Sequence, residues 1–449
     1  IDNNGEWSYD IGTEYVEILN KLQYKSHNYI FYTYENKIFV DDGNELYNLD
    51  GSYVERKKSY LLKMNMNKKK KVGIMTMHKV LNYGSALQAY ALQKKVLELG
   101  FDCEIIDYIF PNVEHLLYQN PNGIKDEESF YSYLKPLLAF CKRKITGLSK
   151  IDYRKRTLFE SFYEKYLILS PKQYPTRLVL EKDPPIYDIY LTGSDQVWNS
   201  KYVGYDTSFM FSFVKDKNPR ISYAASFASA TIPEYYKSCY KTELSKYLKI
   251  SVREKSGIFI VHELVNKNAE LVCDPTLLLD KEEWRILAKE SCIRLNEKYI
   301  LVYILDYAYD PYPHIYSRIE EIQQKIKLPI VVLSGRKQNF LKNAKFINVV
   351  GPCEFLSLFM NASFIITNSF HGTAFALIFE KHFVSVIKDR TNEDSRILSL
   401  LIRVKREHNS VVYNQKIDLT NDSFCNESTI ELDDFRSSSI QYLQKELSV

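Results

Sequence analysis

The sequence predicts an α/β protein of two doubly wound, Rossmann-like units that face each other across a cleft. Three observations favour this class. The chain has 449 residues, too many for one ordinary hydrophobic core, which suggests two or three domains. Residues 71–108 follow the order strand, loop, helix, glycine and strand, as in a βαβ unit with parallel strands. The same cycle begins again at residue 299.

Residues 1–63 differ from the rest of the chain because they are polar and rich in tyrosine. Apolar and polar residues alternate at 29–34, and turn-forming residues follow. This pattern predicts a small N-terminal appendage that carries a hairpin. Because Met64 and Met66 stand just before the first strong strand, we expect the core to begin near residue 70 and the appendage to be dispensable for chemistry.

The first Rossmann-like unit is expected over residues 70–285, with a helical, basic insertion at 110–185. Its strands are short and apolar, and each ends in a polar loop. The predicted strands are 71–77, 103–108, 187–192, 221–225 and 250–253.

The second Rossmann-like unit is expected over residues 295–449, and it ends in a C-terminal helix. Apolar runs again alternate with helical spacing. The predicted strands are 299–304, 330–333, 363–367 and 383–387. Two such units in series place a ligand cleft between them, at the carboxyl ends of the strands.

Composition narrows the classes of function. With 60 basic and 56 acidic residues the net charge is only +4, so we expect no nucleic-acid partner. Seven scattered cysteines without CxxC or metal-type spacing predict reduced thiols, no metal and a cytoplasmic protein. No stretch reaches 18 apolar residues, and no signal-peptide pattern is present. The lysines at 68–71 leave a peripheral contact with the inner face of a membrane open, although such runs are more often solvated.

Tyrosine is unusually frequent, with 36 residues. Tyrosines suit strands and sugar-facing surfaces, because each ring offers an apolar face and a hydroxyl group. A compositional bias from an AT-rich genome explains the same count, so the two interpretations stay open.

Four loops that directly follow predicted strands carry the candidate site residues. In the first loop, Asn82 and Gly84 open a helix whose free N–H groups can bind an anion or a sugar hydroxyl, and a simple N-cap is the alternative. In the second loop, Asp195 offers a carboxylate and Trp198 an apolar face on which a sugar could stack. A tryptophan is more often part of the core, which is the alternative for Trp198.

The third and fourth loops offer a cation and an imidazole. Arg253 ends a strand and has a cationic neighbour. At such a position its forked guanidinium can donate to a carboxylate or phosphate of a ligand, and an ion pair with Glu254 is the alternative. His371 lies at a strand-to-helix turn between hydroxyl-bearing residues, where an imidazole can bind an oxyanion or pass a proton.

Five runs in these regions look, in order, like the successive motifs of the polysaccharide pyruvyl transferase family. The runs are residues 82–93, 193–199, 251–254, 274–276 and 369–373. The resemblance covers about residues 71–400. No single run would carry it, but five in series are specific.

The resemblance implies a fold similar to the two-domain GT-B type, with phosphoenolpyruvate as co-substrate and no further cofactor. It also implies that Arg253 and His371 contact phosphoenolpyruvate, the latter within a donor-binding loop of the second unit. Some family members carry an arginine two residues before this histidine, where the chain has Ser369. One donor-binding cation is therefore missing, and the donor stays open unless another cation replaces it. The candidates for replacement are Lys388, Arg390 and Arg396.

The function implied by the resemblance is transfer of the pyruvyl group onto a sugar of a bacterial capsule or exopolysaccharide, or onto its lipid-linked oligosaccharide precursor, forming a ketal. This chemistry needs a general acid and a base. We expect His371 to be the acid and Asp195 or Glu254 the base. The expected substrate-binding residues are Arg253, Ser369, Phe370, Gly372, Thr373, Asn82, Tyr83, Gly84, Gln88, Ser194 and Trp198.

Two other classes of function remain open. A GT-B glycosyltransferase that uses a nucleotide sugar would share the fold, and it would need an acidic or aromatic nucleoside clamp in the second unit. A non-catalytic carbohydrate-binding protein would keep Trp198 and the tyrosines, but it would not need Arg253 and His371 to face one another.

Overall fold

A computed structural model divides the chain into two units, residues 1–69 and residues 70–449. The residues that the structure describes are 30–34, 37–41, 45–48, 53–56, 69–111, 150–215, 217–305, 311–333, 341, 344–390, 396–415 and 430–449. Most of the predicted insertion, at 112–149, lies outside the described residues, as do Met64 and Met66.

The N-terminal unit contains a four-stranded antiparallel sheet in the order β1-β2-β3-β4. The strands are β1 Ile30–Tyr34, β2 Lys37–Asp41, β3 Glu45–Asn48 and β4 Tyr53–Arg56. Each strand pairs with the next one along the chain, so the expected hairpin is extended into a meander.

The larger unit begins with a seven-stranded sheet in which all paired strands are parallel. The strands are β5 Lys71–Met75, β6 Asp102–Tyr108, β7 Leu169–Tyr174, β8 Ile189–Asp195, β9 Arg220–Ala225, β10 Ile250–Val252 and β11 Ala269–Leu271. Their spatial order is β11-β10-β9-β8-β5-β6-β7. The chain thus runs outward from β5 to β7 and returns on the other side of β5, which makes a topological switch point between β5 and β8.

A six-stranded parallel sheet follows. Its strands are β12 Ile300–Tyr303, β13 Ile330–Leu333, β14 Lys345–Ile347, β15 Phe364–Thr367, β16 His382–Ile387 and β17 Ser410–Val412. The order β14-β13-β12-β15-β16-β17 places its switch point between β12 and β15. Strands β12, β13 and β15 are buried along their whole length, which explains why their sequences are apolar apart from Thr367 at the end of β15. The predicted α/β class with two doubly wound units is confirmed.

Helices connect the strands, as parallel strands require. In the first half they are α1 Tyr83–Glu98, α2 Lys150–Tyr166, α3 Arg177–Lys182, α4 Ser200–Val203, α5 Glu234–Leu244, α6 Lys255–Val265 and α7 Lys281–Lys289. In the second half they are α8 His314–Ile326, α9 Pro352–Asn361, α10 Phe370–Ile378, α11 Arg396–Arg403 and α12 Ile430–Leu447. Short 3₁₀ helices lie at Thr207–Met210, Pro275–Leu278 and Glu407–Asn409.

The last helix, α12, packs against the first sheet, although the sequence assigned it to the second unit. The backbone N–H of Cys273 donates to Ser439 Oγ at 2.9 Å, and Arg436 Nε donates to the carbonyl of Leu277 at 2.6 Å. The C-terminal segment therefore returns to the first half of the larger unit.

One apolar core underlies both parallel sheets. Tyr83 of α1 stacks on Phe355 of α9, with ring centroids 4.7 Å apart and an angle of 17° between the rings. Trp284 of α7 meets Phe375 of α10 edge-on at 5.1 Å. These aromatic contacts join elements from the two halves of the unit, so the halves are held together by buried apolar surface.

Candidate active site

A cavity of about 340 Å³ lies where the carboxyl ends of the two parallel sheets meet. Strands β5 and β8 lie at the first switch point: Asn82 and Ser85 come from the start of α1, which follows β5, and Asp195 is the last residue of β8. The loop after β15, at the second switch point, contributes Ser369 and His371. The cavity therefore occupies the position where doubly wound sheets bind ligands.

The N-termini of two buried helices border this cavity. Asn82 caps α1, and its side-chain oxygen accepts a hydrogen bond from the N–H of Ser85 at 3.2 Å. Ser369 caps α10 in the same way, accepting from the N–H of Gly372 at 3.3 Å. Both caps line the cavity, so the positive ends of two helix dipoles favour an anion there.

Gly84 lets the first turn of α1 approach His371 closely. A Cβ atom built on Gly84 would lie 1.9 Å from Nδ1 of His371, far inside van der Waals contact. Any side chain at position 84 would therefore displace the imidazole. The glycine makes room for His371 in the cavity wall, which is its role in this structure.

His371 and Arg253 are joined through a third residue, Asp274. Nη1 of Arg253 donates to Oδ2 of Asp274 at 2.6 Å, and Nε2 of His371 lies 3.7 Å from the same oxygen. The other carboxylate oxygen of Asp274 accepts hydrogen bonds from the backbone N–H and the hydroxyl of Thr276. Asp274 is fully buried. This carboxylate therefore holds a cation by a hydrogen bond and lies beside an imidazole from the other half of the unit.

The charges around Asp274 control its pKa. Burial alone would raise this pKa, because it disfavours the charged form. The electrostatic interactions with His371 and Arg253 and the N–H of Thr276 outweigh burial and hold the pKa of Asp274 well below its usual range. Burial likewise opposes protonation of Arg253, but the charges of Asp274, Asp195 and Glu254 raise its pKa. The pair is therefore an ion pair in the folded protein.

Arg253 does not line the cavity. Its side chain is 1% exposed, and its guanidinium lies over the ring of Phe370 at 4.7 Å. Nη2 is 3.6 Å from Asp195. Neither Nη2 nor Nε has a hydrogen-bond partner among the described residues. In this structure Arg253 is part of the wall behind the cavity, which differs from the expectation that it contacts the donor directly.

The two candidate bases have different surroundings. Asp195 lines the cavity, and one of its carboxylate oxygens accepts the hydroxyl of Ser85 at 2.5 Å. Its φ of 67° lies in the left-handed region, which is strained for a residue with a side chain. Glu254, in contrast, is outside the cavity lining, and one of its oxygens accepts from Ser226 Oγ and from the N–H groups of Phe227 and Ala228. Glu254 therefore organises the loop after β9, and Asp195 is the carboxylate that a ligand can reach.

Four of the expected substrate-binding residues support the loops from behind. Gln88 donates to Thr76 Oγ1 and accepts from the N–H of Ser194, which ties the loop after β5 to β8. Ser194 donates to the carbonyl of Ala224. Thr373 donates to the carbonyl of Ser369. Gly372 leaves space for Thr367, because a Cβ atom built on Gly372 would lie only 2.4 Å from Oγ1 of Thr367. These residues position the cavity wall without lining it.

Trp198 and Tyr83 belong to the core. Trp198 is fully buried against Phe227 and Tyr247, with ring centroids 5.2 and 5.6 Å away. No face of the indole is available to a sugar, which corrects the expected stacking role. Tyr83 is likewise buried, and its stacking on Phe355 makes it part of the contact between the two halves.

Several lining residues were not among the expected site residues. Ser85 follows Gly84 directly and could have been included on position alone. Tyr202 lines the cavity from α4, where its sequence carries no motif. Arg396, one of three proposed replacement cations, lines the cavity, whereas Lys388 and Arg390 do not. Among the described lining residues, Arg396 is the only lysine or arginine.

Two searches of the described residues gave negative results. No group of three or more His, Cys, Asp or Glu side chains is arranged to hold a metal ion in the described ranges. In the same part of the chain, no helix combines the length and apolar character needed to cross a membrane.

Comparison with known proteins gave one family. The family model for polysaccharide pyruvyl transferase matches residues 82–389, a range that includes the loops after β8, β10 and β15. A search of curated proteins found no match.

Solved structures show a distant likeness. UDP-GlcNAc 2-epimerase from Neisseria meningitidis, bound to UDP-GlcNAc, aligns at 10% identity over 84% of this chain and 100% of its own, with a TM-score of 0.42. UDP-GlcNAc 2-epimerase from Methanocaldococcus jannaschii aligns at 12% identity over 84% and 100%, also with a TM-score of 0.42. Likeness at this level says nothing about what the cavity binds.

Proposed function

The chain belongs to the polysaccharide pyruvyl transferase family, whose activity is the transfer of pyruvate onto polysaccharide, and we propose that it uses phosphoenolpyruvate as donor and forms a ketal on a sugar residue. The acceptor is a sugar of a cell-surface polysaccharide or of its lipid-linked precursor, and no further cofactor is required. The observation that carries the proposal is the cavity itself, where His371, Asp195 and Arg396 meet the N-termini of α1 and α10.

An anionic donor suits this cavity. Phosphoenolpyruvate carries a phosphate and a carboxylate, and each needs charge-assisted donors. Two helix N-termini and the guanidinium of Arg396 supply such donors at the cavity wall. Arg396 thereby replaces the arginine that some family members carry at the position of Ser369. The volume of about 340 Å³ lies within the usual range of about 300–1,000 Å³ for small-molecule sites.

The reaction needs one proton donor and one proton acceptor. Protonation of the donor's methylene carbon by His371 gives a methyl group and a cationic carbon, which a first sugar hydroxyl attacks as its proton passes to Asp195. Asp195 then passes that proton to the phosphate as it leaves, which regenerates a cationic carbon. A second hydroxyl of the same sugar attacks this carbon to close the ketal, and its proton returns to His371. Asp274, whose Oδ2 lies 3.7 Å from Nε2 of His371, holds the ring in its orientation from behind.

Donor choice and catalysis are tested on the purified full chain. Binding of phosphoenolpyruvate and of UDP-GlcNAc is measured by calorimetry, and phosphate release from phosphoenolpyruvate is followed with methyl hexosides as acceptors. We expect phosphate release only when an acceptor is present. Consumption of UDP-GlcNAc with no use of phosphoenolpyruvate would overturn the proposal in favour of a glycosyltransferase.

Two variants test the assigned roles. His371→Gln should lower turnover roughly 100-fold or more, the usual scale for loss of a general acid, with little change in donor affinity. His262→Gln, an exposed histidine in the last turn of α6, is the matched control and should keep full turnover. Arg396→Gln should weaken donor binding, whereas Arg285→Gln on the surface of α7 should not. Unchanged kinetics in His371→Gln would remove the histidine from the mechanism.

A further inference from the structure

Exposed tyrosine rings continue outward from the cavity. Tyr202 lines the cavity and is 41% exposed. Tyr205, three residues later, is 37% exposed, and its hydroxyl donates to the carbonyl of Tyr235 at 3.4 Å. Tyr235 is itself 47% exposed. We call these three residues the tyrosine surface. Of the many tyrosines in the chain, these are exposed next to the candidate site.

Two rings of the tyrosine surface, those of Tyr205 and Tyr235, are held in place by contacts with the protein. The rings of Tyr205 and Tyr235 both contact the buried ring of Tyr236, at 4.6 and 4.4 Å between centroids. The carbonyl of Tyr205 accepts a hydrogen bond from Arg177 at 3.1 Å. The following residue, Asp206, accepts the hydroxyl of Tyr108 at 2.6 Å. Rings held in place in this way lose little conformational freedom when a ligand binds them.

The chemistry of the tyrosine surface fits a saccharide. Each ring offers an apolar face to the C–H groups of a sugar, and each hydroxyl can exchange hydrogen bonds with sugar hydroxyls. The cavity volume of about 340 Å³ is near the lower end of the usual range of about 300–1,000 Å³ for small-molecule sites, so we place only the donor and the reacting sugar in it. The neighbouring sugars of an acceptor chain then lie outside the cavity, where Tyr202 is the exposed aromatic residue of the described lining.

We propose that the tyrosine surface is a binding site for sugar residues of the acceptor chain next to the one that reacts. The proposal rests on the proposed pyruvyl transfer for its orientation, because the reacting sugar is placed in the cavity. It moves the stacking role from Trp198, which is buried, to rings that a ligand can reach. It also makes acceptor length a determinant of affinity.

The test uses gluco- and galacto-oligosaccharides of one to six residues as probes, with binding measured by calorimetry in the absence of donor. For wild-type protein we expect affinity to rise with length. In the double variant Tyr205→Ala/Tyr235→Ala, the affinity for the longest probe should fall roughly 10-fold, while that for the monosaccharide stays unchanged. The corresponding double Phe variant keeps the rings and should keep most of the affinity.

The control is Tyr153→Ala, which removes a 64% exposed tyrosine from α2. It should leave length dependence intact. Failure of this proposal and failure of the proposed function give different results. Pyruvyl transfer with equal KM for short and long acceptors would overturn the tyrosine surface alone, and so would a lack of binding by every probe. Length-dependent binding without any use of phosphoenolpyruvate would keep the surface and overturn the proposed function.

Discussion

Replacing Asp274 by asparagine should strongly destabilise the protein. The substitution keeps the shape of the side chain and removes its charge, so the guanidinium of Arg253 stays buried without the negative charge of its nearest partner, 2.6 Å away. Removing one partner of a buried ion pair costs about 3–5 kcal/mol of unfolding free energy. Asp195 at 3.6 Å and Glu254 at 4.0 Å remain and offset part of the loss, so we expect about 3 kcal/mol.

A matched control exists in α12. Asp433 contacts Arg436 at the same distance of 2.6 Å, but its side chain is 56% exposed. Because water already solvates this pair, Asp433→Asn should cost less than about 1 kcal/mol. Urea unfolding of wild-type protein and both variants measures these free energies, provided that the slopes agree. If the two variants lose equal stability, or if Asp274→Asn stays within about 1 kcal/mol of wild type, the reasoning about burial is wrong.

Two further predictions concern the close approach of Gly84 to His371 and the titration of Asp107. Gly84→Ala should displace His371, lowering stability by about 1–3 kcal/mol and turnover by up to about 100-fold. Gly257→Ala in α6, where the added Cβ would lie 2.9 Å from Val252, is a milder crowding control and should lower stability alone; equal turnover in the two variants would contradict this. Burial would raise the pKa of Asp107, but hydrogen bonds with His78 and two neighbouring side chains lower it to about 2. This carboxylate stabilises the fold above its unfolded pKa of about 3.9, and the stabilisation is lost as the pH falls through about 2. Asp107→Asn should therefore lower the unfolding free energy by about 2 kcal/mol at pH 5, and the difference from wild type should shrink towards pH 2 in urea titrations. A difference that does not depend on pH would refute the assignment.

The fold could be predicted because its signals are local. Strands β12, β13 and β15 are buried on both faces, and each therefore shows a run of three or four consecutive apolar residues in the sequence. Candidate loops could be found because parallel strands end at one edge, which brings Asn82, Asp195 and His371 to one cavity.

Side-chain exposure could not be predicted, because it depends on partners far away in the sequence. Trp198 is covered by Tyr247, which is 49 residues away in the chain, and Tyr83 is covered by Phe355. The burial of Arg253 depends on Asp274 and Phe370, which no local pattern places beside it. The contacts of Asp274 with Arg253 and His371 could not be predicted for the same reason.

The shared core also limits how a ligand can enter and leave. Swinging the two sheets apart would expose the Tyr83–Phe355 stack and the Trp284–Phe375 contact to water, and interfaces this apolar oppose relative domain motion. Ligand exchange must instead proceed through rearrangement of side chains and short loops at the cavity mouth, such as Tyr202 and Phe110. Motions of that kind take nanoseconds to microseconds, faster than typical hinge opening. Product escape should therefore be governed by the mouth of the cavity, and widening it should speed release without loosening the fold.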